Sequence, residues 1–139
     1  MDAFLSHSPE ETRRHAAEVC NRARAGAVIL LEGELGAGKT EWVRGFVEAA
    51  GASNTVSSPT FTLLHHYRGG KWDIFHWDLY RLNETTDWSA LDLEEQLRDG
   101  KGVMLIEWPE RYPHAWPREA WRIRFEDAGA KKRQVVCIF

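Results

Sequence analysis

With 139 residues and a formal net charge of −3, the chain has the length of one domain and no global basic field of the kind that grips a phosphate backbone. Apolar residues make up 43 % and charged residues 28 %, no window approaches the ~18 consecutive apolar residues of a membrane span, and no apolar signal region opens the sequence. The expectation is a single cytoplasmic domain over residues 1–139 that does not enter a membrane, with its two cysteines as reduced core thiols rather than a bridge.

Residues 2–5 read as a short edge strand. Ser8-Pro9-Glu10-Glu11 then spells an N-cap, a first-turn proline and a glutamate at the third helical position, which opens a helix running to about Ala25. Residues 27–31 are a continuous apolar run, as a strand buried on both faces requires. Within residues 41–50, Val43, Phe46, Val47 and Ala50 fall at i, i+3, i+4 and i+7 on one helical face, and Gly51 is placed to end that helix. Residues 51–59 read as a Gly, Ser and Asn loop. Strand formers then fill residues 60–67 and 72–80 around Gly69-Gly70, which predicts a β-hairpin turning at the two glycines and a partly antiparallel sheet.

Leu91, Leu93 and Leu97 predict one or two short helices over residues 87–99, closed by residues 100–102. A second apolar run, residues 103–106, reads as a central parallel strand ending on Glu107-Trp108-Pro109. The tail alternates over residues 121–126, turns over 127–133 and finishes in a strand over 134–139. The clusters Arg13-Arg14 with Arg22 and Arg24, and Lys131-Lys132-Arg133, read as solvated faces. This order predicts a three-layer α/β sandwich with a mixed sheet, partly antiparallel.

Between the first apolar strand and the helix that follows lies Gly33-Glu34-Leu35-Gly36-Ala37-Gly38-Lys39-Thr40, an unbroken match to the phosphate loop G-x-x-x-x-G-K-[ST]. Glycines at 33, 36 and 38 permit positive φ and a close approach of backbone N–H groups to anionic oxygens. Lys39 supplies a point charge for the β- and γ-phosphates of ATP, and the Thr40 hydroxyl is a hard oxygen donor for Mg²⁺. The architecture is therefore expected to be of the P-loop NTPase kind.

Such a site also needs a carboxylate near the metal and a group to orient water. Glu107, closing the second apolar strand, is one candidate. Asp78, flanked by His76 and by Tyr80-Arg81, is the other, and which of the two meets the metal is left open by the residues alone. Arg81 is a weaker candidate for stabilising charge. Ser57-Ser58-Pro59-Thr60 reads equally as a switch segment that senses the γ-phosphate or as a turn that starts a strand. Of the histidines 65, 66 and 76, the adjacent pair point to opposite faces of a strand, which argues against a shared metal.

The strings GELGAGKT, SSPTFTLLHHY, HWDLYRL and LIEWPER, in this order, resemble the TsaE (YjeE) family of small bacterial P-loop ATPases, over roughly residues 8 to 125. The resemblance implies an ATPase subunit in making threonylcarbamoyladenosine at the tRNA adenosine following the anticodon. Its implied partners are TsaB and TsaD, tRNA being met only through that complex. It further implies that Thr40 and Glu107 serve Mg²⁺, that Asp78 supports hydrolysis, that Trp108 lies near the nucleotide, and that a segment around residues 10–12 lies near the base or ribose. Two other functions compete. A small-molecule kinase uses the same loop but needs an acceptor region for which this length leaves little room, and a nucleotide-controlled binding module overlaps with the family role.

Overall fold

In the computed structural model the two apolar runs lie side by side. β2 (Val28–Glu32) and β6 (Val103–Glu107) pair in parallel, with Val28 opposite Met104 and Leu31 opposite Glu107. The structure describes residues 2–34, 38–57, 64–82, 93–112, 116–129 and 132–138. The remaining elements are β1 (Asp2–Ser6), α1 (Pro9–Arg22), α2 (Lys39–Ala50), β3 (Ser53–Ser57), β4 (Leu64–Arg68), β5 (Ile74–Asp78), α3 (Leu93–Asp99), β7 (Trp121–Gly129) and β8 (Lys132–Ile138). They form one eight-stranded sheet in the order β1-β8-β7-β2-β6-β5-β4-β3.

The middle four strands, β7, β2, β6 and β5, run parallel, and each flank turns antiparallel. Period-two alternation divides the core between the two faces. Ile29 and Leu31 join Trp42, Val43 and Phe46 of α2 and Ala16, Val19 and Cys20 of α1 on one side. Val28 and Leu30 join Trp77, Met104 and Leu93 of α3 on the other. The expected three-layer mixed α/β architecture is thus present. Each of the fully buried aliphatic and aromatic side chains contributes about 1.5–3 kcal/mol by leaving water. No helix among the described residues is long and apolar enough to cross a membrane.

The helix ends follow the sequence signals. Ser8 Oγ accepts from the Glu11 N–H, and Gly51, at φ 75°, caps α2 through N–H bonds to Glu48 and Val47 carbonyls. α1 stops at Arg22, short of Ala25, and α2 begins at Lys39, two residues before the expected start at residue 41. Gly45 lies where α1 crosses α2, and a Cβ there would sit 2.4 Å from the Arg13 carbonyl oxygen. Arg13 also reaches Glu41 of α2 in an ion pair.

Three expectations are corrected. Residues 53–57, read as loop, form the edge strand β3, because edge pairing uses the backbone and tolerates Ser and Asn. The hairpin does not turn at two glycines: its connection spans residues 69–73 and β5 begins at Ile74. Gly70 instead passes against the end of α2, where a Cβ would meet the Ala50 carbonyl oxygen at 2.3 Å and where the Lys71 N–H donates to that oxygen. In the tail, strands rather than a turn occupy most of residues 127–133, with Gly129 opposite Lys132. Residues 83–92, with Leu91, lie outside the described residues.

Candidate functional site

Four parallel strands bring their C-terminal ends to one edge of the sheet, the place where open α/β sheets bind ligands. β2 runs into the phosphate loop there. Gly33 adopts φ 144° and packs so closely on β7 that a Cβ would stand 2.7 Å from the Phe125 carbonyl oxygen. Leu35, Gly36 and Ala37 lie outside the described residues, and Glu34 is exposed. Gly38, at φ 103°, is the N-cap of α2, so the loop delivers Lys39 and Thr40 in the first helical turn, where free backbone N–H groups and the helix dipole favour an anion.

Lys39 is buried, 4 % exposed. Its Nζ donates to the Gly33 carbonyl oxygen at 2.6 Å and lies 4.1 Å from the centre of the Trp108 ring. Burial lowers its pKa, and the carboxylates of Glu107 and Asp78 oppose that shift without cancelling it. The cation therefore sits in a poorly hydrated place beside two acids.

Those acids are the last residues of β5 and β6 and stand opposite each other in the parallel register. Glu107 is buried, and the His76 Nε2–H donates to its Oε2 at 2.6 Å. Burial pushes the Glu107 carboxyl up, but the His76 hydrogen bond, the field of that imidazole and the positive charge of Lys39 outweigh it, so its pKa is lowered. Asp78 is half-buried, and its Oδ1 accepts from the Tyr80 N–H at 3.1 Å, which tightens the turn after β5. Arg81 in that turn is exposed.

A cleft of about 440 Å³ opens between α2 and the β4–β5 hairpin, lined by Thr40, Val43 and Arg44 on one side and His65, His76, Asp78 and Glu107 on the other. Thr40, Asp78 and Glu107 present oxygen donors only, a set suited to Mg²⁺. Among the described residues, no group of three or more His, Cys, Asp and Glu forms a metal cage. The donor set fits a cation that keeps waters and shares phosphate oxygens.

Trp108 carries φ 60°, the one positive φ among described non-glycine residues. It is held between Lys39 and Tyr80, whose ring centre is 4.9 Å away, and Arg111 approaches both rings. Thr12, in the segment expected near base or ribose, is buried with its hydroxyl 2.7 Å from Ser6 Oγ. Ser57 ends β3, and residues 58–60 of the proposed switch lie outside the described residues.

The adjacent histidines do face opposite ways. His65 stacks with His76 at 5.7 Å, while His66 packs on Phe75 and donates to Asp73. The sequence places His76 beside Asp78 and argues against it as a shared metal ligand, but its bond to Glu107 was missed. The spacing His76-x-Asp78 was the available signal, since it puts both side chains on one face of β5.

Comparison with known proteins follows the same lines. The family model "TsaE: Threonylcarbamoyl adenosine biosynthesis protein TsaE" matches residues 6–135. The tRNA threonylcarbamoyladenosine biosynthesis protein TsaE of Bacillus subtilis is 37 % identical over 129 residues, 93 % of this chain and 80 % of its own length. Its namesake in Synechocystis is 39 % identical over 81 % of this chain and 73 % of its own length. The crystal structure of Bacillus subtilis YdiB superposes with a TM-score of 0.79 at 33 % identity, covering 96 % of this chain and 82 % of that one.

Proposed function

The chain belongs to the TsaE family of threonylcarbamoyladenosine biosynthesis proteins, and we propose that it is the cytoplasmic, Mg²⁺-dependent ATPase of that tRNA modification, acting on a TsaB and TsaD complex. The observation that carries this reading is the meeting of Lys39, Asp78 and Glu107 at the strand ends beside a phosphate loop. Lys39 exchanges the Gly33 carbonyl oxygen for phosphate oxygens, and the N–H groups at the start of α2 receive the same anion.

Thr40 and Glu107 hold Mg²⁺, which supplies neutralisation of phosphate charge. Asp78, with one carboxylate oxygen engaged by Tyr80, has the other for orienting the attacking water. Trp108 covers Lys39 and keeps bulk water from the cation. Turnover is slow for the isolated chain and rises when the partner complex orders the site, as in other phosphate-loop hydrolases completed by a second protein.

The test is ATP hydrolysis by the purified protein, alone and with TsaB and TsaD, using Glu107→Gln as the control for contaminating activity. Stimulation by the pair that disappears in the variant supports the proposal. Nucleotide binding with no stimulation overturns it, and ADP release that depends on a small-molecule acceptor points to a kinase instead.

A further inference from the structure

We infer that His76 is a positioning residue for Glu107, whose imidazole ties down one carboxylate oxygen and leaves the other for a divalent cation. The inference rests on the ATPase reading and adds to it a residue outside the phosphate loop. β5 and β6 are central strands, and β5 places His76 two residues before Asp78 on the same face as Glu107. Both side chains of the pair are 11 % exposed, so their 2.6 Å hydrogen bond is nearly desolvated.

The proton on His76 can be located from its surroundings. Nδ1 is buried and has no hydrogen-bond partner among the described residues, so a proton there would be an unsatisfied donor. Nε2 therefore carries the proton, aimed at Glu107 Oε2. The His65 ring, 5.7 Å away at 30°, packs on the imidazole and opposes its rotation. A buried polar pair of this kind is a weak source of stability, since apolar side chains fill such positions at equal or lower cost. Its use is geometric. Among the described residues, Glu107 Oε1 has no hydrogen-bond partner and is the oxygen left over. Groups that hold a metal-binding carboxylate or imidazole in place commonly govern metal affinity by 10- to 100-fold.

The experiment compares wild type, His76→Gln and His76→Leu by titrating Mn²⁺ and Mg²⁺ into the protein–ADP complex, with metal-free ADP affinity and thermal melting measured alongside. Gln keeps an N–H for the same oxygen, and Leu keeps the volume without it. The expected result is metal affinity within about 3-fold of wild type for His76→Gln and 10- to 100-fold weaker for His76→Leu, with metal-free ADP affinity unchanged. Equal metal affinity in all three proteins overturns the inference. Should the Leu variant not fold, ¹⁵N-histidine NMR of the wild type decides. The His76 Nε2 resonance is expected to be protonated and to move when Mg²⁺ joins the ADP complex, and an unmoved resonance overturns the inference. A wild type that takes no Mg²⁺ with ADP sinks the ATPase reading itself, a different failure visible before any variant is made.

Discussion

Asp78 and Glu107 end neighbouring parallel strands in register, yet they are held differently: Glu107 is buried against an imidazole, and Asp78 is half-buried against a turn. Glu107→Gln and Asp78→Asn are each expected to lower kcat by at least about 100-fold with little change in Tm. Glu107→Ala is expected to cost a further ~1–3 kcal/mol of stability, because it strands the His76 N–H. Steady-state kinetics and thermal melts on the three variants check both halves.

Lys39 separates binding from folding. Its charge is buried and its pKa is lowered by that burial, so Lys39→Met removes a cation that the fold holds against a desolvation cost. ATP affinity should fall by at least ~10-fold, about 1.4 kcal/mol, while Tm stays level or rises. Calorimetric titration with ATP beside a melting curve tests this, and a large drop in Tm would instead make the Gly33 contact a structural clamp.

Cys20 gives the pH dependence. Burial raises its thiol above the ordinary 9.0, against a smaller opposing pull from the Lys71 charge. The thiol form is favoured by the fold, so this contribution is fully present below pH 9.0 and is lost as pH rises through the folded value. In a Cys137→Ser background, Cys20→Ala should flatten the alkaline limb of stability above pH 9.0. At pH ~8, native Cys20 should react with a disulfide reagent at least about 100-fold more slowly than the unfolded chain.

Gly45→Ala sets helix propensity against packing. Alanine gains about 1 kcal/mol as a helix former, but its methyl would press on the Arg13 carbonyl oxygen from 2.4 Å. Backbone cannot yield as a side chain does, so α1 must move, and the net expectation is a loss of ~1–3 kcal/mol in denaturant unfolding.

What was legible depended on range. The strand, loop and helix around residues 27–51 are set by local periodicity, and the Glu107 strand by its own apolar run, so these could be read directly. β3 could not, because Ser53 and Ser57 pair through backbone at a sheet edge and leave no side-chain signature. The two glycines of the hairpin misled because Gly70 answers to Ala50 of α2 rather than to a turn type. The spacing His76-x-Asp78 puts those two side chains on one face of β5, but the meeting of His76 with Glu107 also needs the register of β5 on β6, which the sequence alone does not supply.

The bracketing of β2 has a consequence during synthesis. That strand leads into the phosphate loop, but both of its neighbours, β6 and β7, are made later, and Gly33 is seated against Phe125 of β7. A chain still on the ribosome thus carries the complete loop sequence long before the loop has walls, and must close contacts spanning ~90 residues to gain them. Until β6 has emerged, the apolar strand that will become the centre of the sheet has no lateral partner among its final neighbours, and until β7 follows one of its edges stays open, so this protein's nascent form depends on prompt completion or on transient shielding.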